Sequence, residues 1–306
     1  MRLRFYLHAM FDFRLQVFHA VAKRLNFTKA AAELYITQPA VTKHIHELEY
    51  HFKVKLFDRN GSRIKLTVAG ETLLQHTEQL FALYRNLEFE MNHLSEKHQG
   101  KLRLGASTTV AQYVLPPVLA SFHQKFPDVQ ISLINNNTEQ IEQALNNKEI
   151  DLGIIEGRSK NASIKYIEFI KDEIVLITSA KNVTIKKEII QPNDLKKIPL
   201  LLREPGSGTL EVITHSLKNL GIKIRDLKIE MQLSSTESMK SFLLHSDSAA
   251  FLSLHSVSNE LQRNELRMID VKGLNMERYF YFIQLHGQAE ILPDLFMKSA
   301  RRYNFR

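Results

Sequence analysis

Three groups of residues in this 306-residue sequence have the types and spacing for chemistry. The first, His46-Glu47-Leu48-Glu49-Tyr50-His51, nearly spells a zinc-protease motif. Chelation on one helical face needs histidines at i and i+4 with a glutamate beside the first. Here they stand at i and i+5, about 140° apart on a helix of 3.6 residues per turn. No metal site is expected, and both histidines read as solvated or phosphate-facing. The second group is Ser107-Thr108-Thr109, and the third is Leu202-Arg203-Glu204-Pro205-Gly206-Ser207-Gly208-Thr209. Each falls between a strand pattern and a helix start, where hydroxyls and free backbone N–H groups can hold an anion. The third adds the fixed charge of Arg203 and glycines that permit close approach. It is no P-loop, because no Lys follows Gly208. Nor is it a nucleophile elbow, since Ser207 has Pro205 two residues earlier. Either loop alone reads as an ordinary cap and turn. Their matched placement favours a small anion held by Ser107, Thr108 and Thr109 on one side and Arg203, Ser207 and Thr209 on the other.

What is missing narrows the chemistry further. The chain has no cysteine, which excludes disulfides, thiolate catalysis and cysteine-ligated zinc and fits the cytoplasm. No nucleophile–base pair, dinucleotide fingerprint or metal cluster is recognisable, so no catalytic residue, cofactor or metal is expected. The chain reads as not an enzyme. No apolar run reaches the length of a membrane span, and no membrane partner is expected. Residues 1–9 read as a short, dispensable extension without the long apolar core of a signal peptide.

The elements that position these groups differ sharply in charge. Residues 1–66 hold 12 Lys and Arg against 5 Asp and Glu, whereas the other 240 hold 29 against 28. A basic module on a near-neutral body points to a polyanion partner at one end only. Within that module, Leu15, Phe18, Ala22 and Leu25 follow helical spacing. Asn26 or Thr28 caps a second helix running to Leu34, and Thr37 caps a third with Pro39 in its first turn. Val41, Ile45, Leu48 and Phe52 make one apolar stripe on the third helix, leaving Pro39, Thr42, Lys43 and His46 on the other side. Hydrogen-bonding side chains on a short exposed helix after a tight turn suit the major groove of double-stranded DNA. Two short extended runs then flank an Asn60-Gly61 turn, and Arg59 and Arg63 stand at its tip like a phosphate-touching wing.

The stretch FTKAAAELYITQPAVTKHIHELEYHFKVKLFDRNGSRIKLTVAG resembles the helix-turn-helix signature of the LysR-type transcriptional regulators, from about Phe13 to Gly70. The candidate DNA-contacting set is Thr28, Thr37, Gln38, Pro39, Thr42, Lys43, His46, Arg59 and Arg63. Two positions depart from the family. Leu-Gly is usual where Phe52-Lys53 stand, so the third helix must stop without its glycine, with Lys53 left-handed and modestly strained. His44 replaces a frequent Gln in the recognition helix.

From Thr67 to about Lys97, Leu73, Thr77, Leu80, Tyr84, Leu87, Met91 and Leu94 are spaced alternately by four and three, the seam of a coiled coil. The resemblance implies that this helix pairs two subunits into a homodimer, with a dimer of dimers beyond it. Past residue 100, strand and helix patterns alternate, implying a mainly parallel α/β unit followed by a second. Strand Tyr279–Gln284 returns to the first. A chain that crosses over twice makes two lobes with a ligand cleft between them. This layout is similar to the LysR effector domain, itself similar to periplasmic binding proteins, and both loops resemble those of members that govern sulfur assimilation.

The expected fold is therefore α plus α/β. A winged helix-turn-helix occupies 1–66, a dimerising linker helix 67–98 and a two-lobed effector domain 99–306. Lobe I covers about 99–163 and 268–306, and lobe II about 164–267, with crossovers near Ser163–Lys165 and Arg267–Ile269. The expected function is a sequence-specific transcription regulator that senses a small anionic metabolite, with RNA polymerase as a further candidate partner. The alternatives are a solute-binding protein, which would need an export signal and no DNA module, and an enzyme, which turnover would reveal.

Overall fold

The computed structural model describes residues 12–60, 63–94, 100–157, 161–286 and 291–304. The chain forms two compact units, Met1–Glu88 and Phe89–Arg306.

In the first unit, α1 (Phe13–Arg24), α2 (Phe27–Leu34) and α3 (Gln38–Phe52) each begin on a short polar side chain. Asp12 accepts from Arg14 N at 3.0 Å, Asn26 from Lys29 N at 2.9 Å and Thr37 from Ala40 N at 3.4 Å. Each cap satisfies an N–H that a helix start leaves open. The stripe of Val41, Ile45 and Leu48 packs with Val17, Phe18, Phe27 and Phe57 into an apolar core. Phe52, expected on that stripe, is instead 47% exposed, because the last turn of α3 (Tyr50, His51, Phe52) outruns the core. All three helices end on left-handed residues other than glycine: Leu25 (φ 44°), Tyr35 (φ 56°) and Lys53 (φ 55°).

Strands β1 (Phe57–Asn60) and β2 (Arg63–Leu66) pair antiparallel with Asn60 opposite Arg63. Residues 61–62 of the expected turn, and residues 1–9, lie outside the described residues. Helix α4 (Val68–Leu94) starts beneath Thr67, whose hydroxyl accepts from Gly70 N at 3.0 Å. Its first turns serve their own unit: Leu73 and Leu74 join the core, Thr77 is fully buried and Glu78 lies 2.7 Å from Lys23 Nζ. Farther along, Leu80, Leu83, Leu87 and Met91 are 44%, 66%, 46% and 57% exposed. The expected seam thus divides, its start packed internally and its later leucines open. The side chain of Leu94 and residues 95–99, where the helix is expected to end, lie outside the described residues.

The second unit is built on one sheet shared by two lobes. β3 (Gly100–Ser107), β4 (Val129–Asn136) and β5 (Leu152–Glu156) run parallel, linked through α5 (Leu115–Lys125) and α6 (Thr138–Asn146). β12 (Glu277–Leu285) returns to this lobe, as the sequence predicts, and pairs antiparallel with β5. In the other lobe β8 (Leu200–Leu202), β9 (Ile229–Gln232) and β10 (Ala249–Ser253) run parallel, with α7 (Gly208–Asn219) and α8 (Thr236–Leu244) between them. After β10 come α9 (Leu254–Gln262), unread in the sequence, then β11 (Leu266–Val271), which pairs with the short β7 (Ile189–Ile190), and at the end α10 (Ile291–Arg302).

Alternate residues of a strand face opposite sides, so each lobe holds a core on both faces of the sheet. Phe280 and Phe282 of β12 pack with Phe122 and Phe296, while Ile283 packs with Ile141 and Leu145. Leu200 of β8 joins Ile213, Leu217 and Phe251, and Leu201 joins Met239, Leu243 and Leu252.

The lobes join through β6 (Ile164–Ser179), a 16-residue strand. Its first part pairs with β12 and its end with β10 and β11. The chain therefore changes lobe inside a strand, near Glu173–Ile174, where the sequence places the change at Ser163–Lys165. The charges of Lys165, Glu168, Lys171, Asp172 and Glu173 make this strand read as a connector. The return runs through residues 272–276, since Arg267–Ile269 are paired with β6 inside β11.

Candidate functional site

The first unit presents a polar face on α3 and the residues before it. Thr28, Thr37, Gln38, Pro39, Lys43 and His46 are exposed and Thr42 is half-buried. The Gln38 side-chain amide donates to Thr42 Oγ1 at 2.9 Å, so these two residues orient each other. Lys43 Nζ lies 4.0 Å from Glu47, and His46 Nδ1 lies 3.5 Å from Glu49. Arg59 and Arg63 fall on the paired ends of β1 and β2; their side chains lie outside the described residues.

Glu49 is a residue the sequence reading did not single out. It is 8% exposed and accepts from Leu56 N and Lys55 Nζ, both at 2.9 Å, tying α3 to the segment that leads into β1. Burial raises its pKa, but the hydrogen bonds from Lys55 and the Leu56 backbone outweigh this and hold the carboxyl below its usual range. A Glu on the edge of an apolar stripe, three residues after an exposed His, is the signal that would have found it.

In the second unit the two predicted anion loops meet. Ser107 is the last residue of β3, and Thr108 and Thr109 lead into a single π-helical turn, Val110–Val114. Arg203 to Ser207 link β8 to α7. All six predicted residues are buried, Arg203 with only 1% of its surface exposed. Arg203 Nη2 donates to Thr108 Oγ1 at 3.3 Å across the lobes. The Oγ atoms of Ser107 and Ser207 are buried without a hydrogen-bond partner. Such orphaned groups carry the full cost of leaving water, on the order of 1–3 kcal/mol each, unless something binds them. Thr209 differs from its neighbours: its hydroxyl donates to Glu156 at 2.9 Å and accepts from Arg278 Nη1 at 3.0 Å.

Backbone contacts reinforce the junction. Glu139 N donates to Gly206 O at 3.2 Å and Asn137 Nδ2 to Pro205 O at 3.4 Å. Gly206 holds φ at 83°, and a Cβ at Gly208 would overlap the Glu156 carbonyl, so this loop needs both glycines.

Two polar clusters beside the loops escaped the sequence reading. Arg278, at the start of β12, lies 2.8 Å from Glu156 Oε2 and 2.7 Å from Asp172 Oδ2, with Ser253 donating to Asp172 at 2.7 Å. Across the other side, Tyr113 donates to Glu237, and burial together with that carboxylate pushes its pKa up. Lys240 Nζ is held by Glu237 at 2.9 Å, Glu260 at 2.8 Å and Ser256 O at 3.1 Å. Both clusters join residues far apart in sequence. A charge on an otherwise apolar helix face, Lys240 beside Met239 and Leu243, is the one local clue.

One unit thus presents a polar recognition helix beside a two-stranded wing, and the other closes two α/β lobes over buried polar groups. These features define a regulator that reads DNA with one unit and a small molecule with the other. Residues 13–71 match the bacterial regulatory helix-turn-helix protein of the lysR family, and residues 95–293 match the LysR substrate binding domain. The chain belongs to the LysR family and is a DNA-binding transcriptional regulator with an effector-binding domain. It is 33% identical over 273 residues to the probable RuBisCO transcriptional regulator of Trichormus variabilis, covering 88% of this chain and 81% of that one. The CcmR regulatory domain of Synechocystis in complex with 2-PG is 27% identical with a TM-score of 0.60, over 66% of this chain and 96% of that one. Full-length CbnR complexed with its target DNA shares the fold at 20% identity and a TM-score of 0.61, over 95% and 99% of the two chains.

Proposed function

We propose that this regulator responds to a small anion held between the lobes of its C-terminal unit. The observation that carries the reading is the pair of buried, unpartnered hydroxyls of Ser107 and Ser207 on facing loops, beside a fully buried Arg203. The start of α7 adds roughly half a positive charge. The CcmR domain with bound 2-PG supports a small-molecule ligand for this fold. Because the contacts come from both lobes, an anion favours one lobe arrangement over another, which is the differential affinity a switch requires.

On the DNA side, Thr42, Lys43 and His46 read base edges, Thr28, Thr37, Gln38 and Pro39 flank them, and Arg59 and Arg63 anchor phosphates. Pairing of two chains through Leu80, Tyr84, Leu87 and Met91 of α4 brings two winged modules to a pseudo-palindromic site, and dimers pair further. Such a protein works in the cytoplasm, with RNA polymerase as its downstream partner.

Calorimetry against sulfate, sulfite, thiosulfate, acylated serine and small carboxylates tests the effector. Binding by at least one anion, lost in Arg203→Ala and weakened in Thr108→Val, is expected. An effector that is cationic or apolar, or that keeps its affinity in both variants, overturns the anion cleft.

A further inference from the structure

Arg203 is the largest fully buried side chain in the described residues, and one edge of its guanidinium is already occupied. The carboxylate of Glu204 grips the edge of its guanidinium as a fork, Oε2 at 2.9 Å from Nε and Oε1 at 3.1 Å from Nη2. That edge is one with which arginine takes a planar or tetrahedral oxyanion by two parallel bonds. The pair is lopsided: the Glu204 side chain is 22% exposed and that of Arg203 only 1%. Glu204 can therefore turn into water at small cost. Arg203 cannot, and without a replacement it would remain a buried, uncompensated charge.

We propose that Glu204 is a built-in competitor for the effector anion and thereby sets which anions the cleft accepts. The inference rests on the anion reading of the cleft. Glu204 offers two acceptor oxygens, and both are used on Arg203. It leaves the hydroxyls of Ser107 and Ser207 without partners. A monocarboxylate arriving from solution can only repeat what Glu204 already does, against a rival whose tether gives it a high effective concentration. A sulfate, thiosulfate or phosphate group carries further acceptor atoms on the same centre. After replacing Glu204 on the arginine it can also accept from the two orphaned hydroxyls. The cleft selects a tetrahedral oxyanion over a planar one because its own carboxylate must first be displaced. Pro205 and Gly206, the next residues in the chain, carry the carbonyls bonded to Asn137 and Glu139, so the exchange moves a loop that already bridges the lobes.

The test is calorimetry on the full-length chain with sulfate, thiosulfate, phosphate and acetate as probes. Wild type, Glu204→Gln, Glu204→Asp and Arg203→Ala are compared, with thermal unfolding measured beside each titration. In wild type a tetrahedral anion binds and acetate binds far more weakly. In Glu204→Gln all anions bind more tightly, by about tenfold for removal of one adjacent like charge, and acetate gains most. Glu204→Asp, a shorter and poorer fork, falls between. Without anion, Glu204→Gln melts below wild type, and the bound anion restores it. If binding is lost in Arg203→Ala but unchanged or weaker in Glu204→Gln, Glu204 merely orients the arginine and the competitor role is overturned. A wild-type preference for acetate overturns the selectivity argument. Absence of anion binding in every variant overturns the anion cleft itself.

Discussion

The two units leave their physical chemistry unfinished in opposite ways. The first has an apolar core of helix and wing residues, with Glu49 and Thr77 as its buried polar side chains among the described residues. Apart from the buried Thr77 hydroxyl, which has no partner, it is the polar face of α3 and the leucines of α4 that stay open, and these lie outside. The second buries most of its apolar side chains in four cores and keeps hydroxyls without partners inside, at the lobe junction. Exposed apolar and polar surface is completed by another macromolecule, because only a large partner can cover it. Buried unpartnered donors are completed by something small enough to enter.

The largest expected effect follows from the first half of that contrast. Replacing both Leu80 and Leu87 with Lys puts charges into a layer that two α4 helices would desolvate. Self-association should weaken on the order of a hundredfold or more, and operator affinity should fall with it because one winged module grips only a half-site. Anion binding by the second unit should be unchanged. Sedimentation that shows wild-type dimers in this variant breaks the comparison, since the open leucines would then need no partner.

A smaller effect separates two roles within the first unit. Arg63→Ala should weaken binding to specific and random DNA alike and flatten the salt dependence by about one unit of slope. Thr42→Val should leave the slope alone and change sequence preference, by about 1–3 kcal/mol of discrimination at one base pair. The Gln38 amide that bonds Thr42 loses its acceptor in the same variant, which adds to the change. Equal losses on all sequences for both variants would remove the distinction between reading and anchoring.

How much of this was legible depended on how far apart the interacting residues lie. The caps Asn26 and Thr37, the stripe of Val41, Ile45 and Leu48, and the wing pairing are contacts within a few residues, and local spacing carries them. Strands Leu200–Leu202 and Ala249–Ser253 fall where their apolar runs do. The placement of both candidate loops was legible because each is a strand end beside a helix start. The knot of Arg278, Glu156 and Asp172 was not, because its members are separated by 16 to 122 positions and meet only when β5, β6 and β12 lie side by side. Phe52 misled for the converse reason: periodicity continues to the end of α3, but the core it points toward does not.

The smallest effect tests where the first unit keeps its strain. Non-glycine residues pay roughly 1–2 kcal/mol in the left-handed region, where Cβ crowds the following carbonyl. Lys53 sits there at φ 55° because its N–H must reach Glu49 O to close α3 before Lys55 and Leu56 turn back to the Glu49 carboxylate. Lys53→Gly removes the crowding and keeps the backbone bond, while the more flexible unfolded chain takes back part of the gain. A net stabilisation of about 0.5–1 kcal/mol is expected in denaturant unfolding of the first unit, with no change in the second. Tyr35→Gly, at φ 56° and 81% exposed, should behave alike because little packing is lost. Stability that falls in both variants would mean these side chains do more for the unit than their backbone strain takes away.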